Sequence, residues 1–178
     1  MDDVALNRKA WVTLSVAMAS RDDPMSMPEV QQLCGLNAQL IMCERRFAAS
    51  VRPDQTPDEA LRHSFELNDI LAASWLWVLG AYEVFRRAKH RRGPLADASE
   101  FHALNEAISE IRIVLAKREA RANKKVRQVP QVLLAQDGSV GWGFWDRRLQ
   151  HRQFFRAHFA RDWIAQADRL RELTQAGR

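Results

Sequence analysis

Apolar side chains recur every three or four positions along most of this chain, the spacing of helices that each bury one face. Val4, Trp11, Leu14 and Met18 form the first such stripe and predict a helix from about Asp3 to Ala19. Arg21-Asp22-Asp23-Pro24 breaks it. Val30, Leu33, Leu36, Leu40, Cys43 and Phe47 then make a continuous seam, predicting a second helix from about Pro28 to Ala49, with Pro28 suited to a first turn. After the loop Arg52-Pro53-Asp54, Thr56-Pro57-Asp58-Glu59 carries the pattern of a capping box. The Thr56 hydroxyl can accept from the amide three residues on, and Glu59 can reach back. The helix it starts should run to about Arg91, where Arg91-Arg92-Gly93-Pro94 puts cations and then a breaker at its end. Its middle, Leu71 to Phe85, is apolar nearly all round, the mark of a central core helix. Asp97 or Ser99 caps the next helix, whose buried stripe is Phe101, Leu104, Ile108, Ile111 and Leu115, and the pattern fades at Asn123-Lys124-Lys125.

Between Gln131 and Trp145 the period changes. Val132, Leu133 and Leu134 precede Asp137-Gly138, and Val140, Trp142 and Phe144 alternate after it. Asp-Gly between two such runs predicts a hairpin with a two-residue turn. A lone hairpin is marginal in water, so this one must pack on the helices. A last helix follows from about Leu149 to Thr174, with Phe155, Phe159, Trp163 and Leu170 inward. The fold class read from these patterns is mainly α: one domain over residues 1–178, a bundle of about five helices with a hairpin near 131–145 before the last. Phe154, Phe155, Phe159 and Trp163 are more than one core-facing stripe can hold if all lie on that helix. They predict a homodimer with the last helix or the hairpin at its interface.

Composition agrees with a packed core: 47% hydrophobic and 28% charged, with six tryptophans and eight phenylalanines among 178 residues. The longest apolar run, Ile70 to Tyr82, has about 13 residues against the ~20 that cross a bilayer. Ala10 to Ala19 follows Arg8 and Lys9 in the manner of a secretion signal, but Asp2 and Asp3 spoil the basic lead, and an ordinary first helix is the expectation. Cys34 and Cys43 share one predicted helix roughly 13 Å apart, too far for a disulfide. They read as small buried groups of a reducing cytoplasm.

Charge is unevenly placed. Residues 1–85 carry a net −5 and residues 86–178 a net +10, which suggests that one surface meets RNA or another polyanion, or an acidic partner protein. Three basic clusters make up the second half: Arg86, Arg87 and Lys89 with their neighbours; Lys117, Arg118, Arg121, Lys124, Lys125 and Arg127, ending a helix and entering a loop; and Arg147, Arg148, Arg152 and Arg156. Glu83, Arg87 and His90 share a helical face beside Tyr82, and with Arg112 they form a candidate polar site for a phosphate or a proton transfer, or else an i,i+4 ion pair. The five histidines lack metal-ligand spacing, and no phosphate-binding glycine loop or nucleophile elbow is present, so neither metal nor cofactor is expected.

Trp77 to Glu83, Arg112 to Ala120 and Asp137 to Trp142, taken together, resemble small bacterial helical proteins of no assigned activity. More remotely, the helical layout resembles the HEPN superfamily, compact and often dimeric bundles, many of them ribonucleases. The resemblance implies an Arg followed by four to six residues and then a His, acting on RNA across a dimer interface. Arg152 with His158 fits that motif. Arg112 fits it in spacing only, because Arg118 stands where the motif has His. The expectation is a nucleic-acid-associated helical module with Arg152 and His158 as catalytic candidates. The alternative is a non-catalytic interaction protein in which Trp142 and Trp145, on opposite faces of one strand, divide between core and partner.

Overall fold

The computed structural model describes residues 8–19, 23, 25–91, 94–117, 119–120, 123–127, 129–146, 148 and 150–176. Among the described residues there are seven helices: α1 (Arg8–Met18), α2 (Ser26–Ser50), α3 (Pro57–His90), α4 (Pro94–Asp97), α5 (Ser99–Lys117), α6 (Arg156–Ala165) and α7 (Ala167–Ala176). Five short strands lie between α5 and α6: β1 (Glu119–Ala120), β2 (Asn123–Arg127), β3 (Gln131–Leu134), β4 (Val140–Trp145) and β5 (His151–Phe155). The chain is mainly helical, as the periodicity requires. No helix among the described residues is long and apolar enough to cross a membrane.

The capping box forms as read. The Glu59 amide donates to Thr56 Oγ1 at 3.3 Å and the Thr56 amide donates to Glu59 Oε2 at 2.9 Å, with Pro57 at the first helical position. From that start α3 runs 34 residues, about 50 Å at helical rise, and serves as the spine. α2 packs along one side and α5 along the other. The Trp77 indole donates to the Leu33 carbonyl at 2.9 Å, fixing the height of α2 against α3. Trp11 of α1 and Trp77 of α3 both meet Trp163 of α6 edge to face, at 5.8 and 6.3 Å, and Phe85 and Phe159 close the group. The first, third and sixth helices therefore share one aromatic centre. At the far end of α3, Arg91 donates to the Met18 carbonyl at 2.6 Å and to Asp23 at 2.5 Å, while Ser26 Oγ donates to the same Met18 carbonyl at 3.0 Å. The otherwise unpaired C-terminal carbonyl of α1 is satisfied by this clamp.

Several expectations are corrected. The hairpin is the first two strands of a three-stranded antiparallel sheet, order β3-β4-β5. Phe154 and Phe155 lie on β5, so the last helix begins at Arg156 and bends again at Gln166. A strand separates neighbouring side chains by a half-turn: Phe154 goes inward beside Trp142, and Phe155 goes to the outer face. Phe154, Phe159 and Trp163 are all buried within one chain, which removes the aromatic crowding on which a last-helix dimer was expected. The turn between β3 and β4 is also longer than two residues. The Ala135 amide donates to Ser139 O, enclosing Gln136, Asp137 and Gly138, and Gly138 takes φ +83°. This is the three-residue hairpin loop with a left-handed glycine. Finally, Lys117 ends α5 as expected, but Asn123–Arg127 of the basic stretch form strand β2 of the two-stranded ribbon β1–β2 where a loop was expected.

β4 keeps its alternation. Val140, Trp142 and Phe144 point into the bundle, and Gly141 and Gly143 occupy the other face. A methyl group at Gly141 would lie 2.3 Å from the Phe154 carbonyl oxygen and 2.6 Å from the Phe155 ring, so only glycine lets β5 approach here.

Under the sheet, Arg156 is fully buried. Its Nη2 donates to Glu44 Oε2 at 2.8 Å and its Nη1 to Asn37 Oδ1, joining the first turn of α6 to the middle of α2. Burial pushes the Glu44 carboxyl up from its ordinary range and the Arg156 guanidinium down, each working against the attraction between them. Such a pair contributes little net stability while intact, but losing one member strands the other. Arg156→Met or Glu44→Leu alone should destabilise the fold by about 3–5 kcal/mol, and the double variant should recover most of that loss. Urea unfolding of the four proteins measures the coupling directly; additive losses would show that the two side chains do not act as a pair.

Candidate functional site

Arg152 and His158, the spacing-selected pair, engage different carboxylates, and no contact joins them among the described residues. Arg152 leaves the bundle-facing side of β5 and donates through Nε to Asp146 Oδ2 at 2.9 Å. Asp146 is the organiser of the β4–β5 turn. Its Oδ1 accepts from the Gln150 amide at 2.9 Å and the Arg148 amide at 2.8 Å, and these bonds together with Arg152 hold its carboxyl below the usual range. Beside this turn lies a hollow of about 370 Å³ toward α5, lined by Phe144, Asp146, Arg148, Arg152, Glu106 and Glu110 among others. His158, one turn into α6, bonds through Nε2 to Asp137 Oδ2 at 2.9 Å, and its ring leans on Phe155 at 5.0 Å. Arg161 brings a guanidinium to Asp137 at 3.6 Å. Arg156 is withdrawn from the third basic cluster by burial, and Arg147 lies outside the described residues.

The polar site expected at the end of α3 is divided in two. Glu83 pairs with Arg86 at 2.8 Å instead of with Arg87. Arg87 crosses to Glu29 of α2 and, at 3.7 Å, to Asp23. These groups border a groove of about 440 Å³ between α2 and α3, floored by Leu33, Leu36 and Gly80. Tyr82 faces the other way, toward α5, where the Arg112 guanidinium lies 4.9 Å over its ring. Lys89 and His90 are solvent-exposed on the last turn of α3. The side chains of Lys117, Arg118, Arg121, Lys124, Lys125 and Arg127 lie outside the described residues, and so does the contact of that cluster with any other.

What the structure assembles instead is the outer face of the sheet. Over Gly141 and Gly143 lie Phe155, His151 and Leu133, with the Trp145 ring edge-on to His151 at 5.6 Å. Trp142 is buried and Trp145 is 48% exposed, the division expected from their odd separation on one strand. At the sheet edge, Val132 and Leu134 of β3 are exposed as well, and among the described residues β3 pairs only with β4.

Neither family models, nor curated proteins, nor solved structures match this chain. The site is therefore read from its own geometry. No group of three or more His, Cys, Asp or Glu side chains placed to hold a metal occurs among the described residues. Cys34 and Cys43 are free, and burial raises the Cys34 thiol above its ordinary range, away from nucleophilic use.

The residues that pattern reading missed are Asn37, Glu44, Asp137 and Asp146. Glu44 and Asn37 did leave a trace. Each interrupts the apolar seam of α2, and Arg156 likewise sits between Phe155 and Phe159. Opposite charges inside two apolar stripes are the signal of a buried pair.

Asp137 gives a pH handle. Partial burial works to raise its carboxyl, but bonds from His158 and the Ser139 amide outweigh that and hold it at about 2, against 3.8 in an unstructured chain. A lowered carboxyl stabilises the fold above its unfolded value and loses that contribution as pH falls through the folded one. Melting temperature should therefore drop between pH 4 and pH 2 more steeply in the parent than in Asp137→Asn. Parallel curves for the two proteins would show that Asp137 carries none of the acid sensitivity.

Proposed function

We propose that this protein is a non-catalytic interaction module whose sheet receives a partner protein at the β3 edge and the outer face. The observation that carries this reading is Trp145, half exposed on the outer face of a sheet whose edge strand β3 also exposes Val132 and Leu134. Large aromatic groups in such positions act as anchors, and an edge strand offers unpaired amides and carbonyls to an added strand. The candidate catalytic groups support it from the other side. Arg152 and His158 each serve a separate turn-stabilising carboxylate, Glu83 pairs with Arg86 on its own helix, and Arg87 and Arg91 tie α3 to other elements.

Random peptide display against the whole chain is the direct test. Enriched peptides should be extended and alternately apolar, and Trp145→Ala should weaken them by more than about tenfold, as loss of an anchor does. Binders indifferent to both Trp145→Ala and Val132→Lys would remove the reading.

A nucleic-acid role, with RNA as the first candidate, draws on a different feature. Of the run Lys117 to Arg127, Lys124, Lys125 and Arg127 stand on strand β2 of a two-stranded ribbon, in a half-chain of net +10. Phosphate-driven association should then give a mobility shift at 50 mM salt that fades by 200 mM, and Lys124→Glu with Lys125→Glu should abolish it. Retention of the shift by that variant, or no shift at 50 mM, would sink this second role. An HEPN-like nuclease would further need RNA cleavage that disappears in both Arg152→Ala and His158→Ala.

A further inference from the structure

The central helix is not covered all round. Leu61, Phe65, Ala72, Trp75 and Leu76 are exposed on α3, Phe65 by 62% and Leu76 by 64%, and Leu79 is half-buried beside them. At 100° per residue these six positions fall within about 100° of arc, with exposed Asn68 on the same arc in the gap between Phe65 and Ala72, and they form a seam roughly 27 Å long with no helix on it among the described residues. The same face continues into Glu83 and Arg86, both exposed.

Charge says what covers it. The first half of α3, residues 57–73, holds Asp58, Glu59, Glu66 and Asp69 against Arg62, and the second half, residues 74–90, holds Arg86, Arg87 and Lys89 against Glu83. A helix acidic at one end and basic at the other is complementary to itself laid antiparallel. We propose that two copies of this chain associate through the exposed seam of α3, antiparallel about a two-fold axis near Ala72. The small side chain at the crossing lets the backbones approach. Phe65 of one copy then meets Leu79 of the other. Asp58 of one copy faces Arg86 of the other, and Arg62 faces Glu83, each pair occurring twice by symmetry. The Glu83–Arg86 pair within one chain is a surface pair and exchanges partners at little cost. With its charged ends the seam is roughly 40 Å long, and a helix is about 10–12 Å wide. Each copy covers on the order of 450 Å², about 900 Å² in all, the size class of reversible complexes. This inference is independent of the hairpin reading, because a chain that binds nothing at β3 can still pair through α3.

Sedimentation velocity on the full chain from about 1 to 200 μM is the test, with circular dichroism as the control for folding. The mass should rise from 20.5 kDa toward twice that value across the range. Leu76→Glu and Phe65→Glu, both at exposed positions, should each hold the chain monomeric with unchanged helicity. Arg86→Asp should weaken the dimer at least tenfold, and adding Asp58→Arg should restore it, because the antiparallel arrangement brings those two positions together. A monomer at every concentration overturns the proposal. So does a dimer that survives both glutamate variants, which would place the contact elsewhere, or a charge swap that fails to rescue, which would rule out the antiparallel register.

Discussion

The architecture depends on burying one arginine. Arg156 stands at the point where β5 becomes α6, fully enclosed, and its guanidinium reaches Glu44 and Asn37 on α2, more than a hundred residues earlier. Burial opposes the charge on both partners, so the pair is held by geometry and not by a large net gain. What it contributes is specificity. Only one height of the sheet over α2 satisfies both donors. That height sets Trp142 and Phe154 against the bundle, and it turns the face bearing Trp145 and His151 outward. Hydrophobic burial alone tolerates a range of docking positions; a buried hydrogen-bonded charge does not.

The surface ion pairs play a lesser part. Glu83–Arg86, Arg169–Glu172 and Arg171–Asp168 lie three residues apart on exposed helix faces, where each contributes only tenths of a kcal/mol. The clamp of Arg91 and Arg87 on Asp23 and Glu29 differs, since it crosses between elements and satisfies the carbonyl end of α1. Much of the described cationic charge at the end of α3 is thus occupied in holding helices together.

Helices with single buried stripes were legible from spacing alone. The seam of α2, the stripe of α5 and the capping box at Thr56 are local patterns, and local patterns survive folding. The strand β5 was not legible. His151 to Phe155 alternates weakly and runs straight into helical spacing, so its pairing with β4 is decided by contacts that no short window contains. The ribbon β1–β2 was hidden in the same way by a lysine- and arginine-rich composition. The middle of α3, Leu71 to Phe85, is apolar nearly all round and marks a core helix. Composition cannot tell a helix enclosed on every side from one with a free apolar face, and Trp75 and Leu76 prove to lie on the free side. Of the candidate site, the division between Trp142 and Trp145 followed from strand geometry, whereas the carboxylates that engage Arg152 and His158 come from turns distant in sequence.

The position of α1 has a consequence for how the chain is made. Thr174 of α7 donates to the Ala17 carbonyl at 2.9 Å, across 157 residues, and Trp11 rests on Trp163. α1 leaves the ribosome well before the helices that enclose it. At about 5–20 residues per second, roughly 8–30 s pass between the synthesis of its apolar face and that of the helices that cover it. For that interval Trp11, Leu14 and Met18 are apolar surface in need of shelter, and the synthesis of α6 and α7 commits α1 to its place.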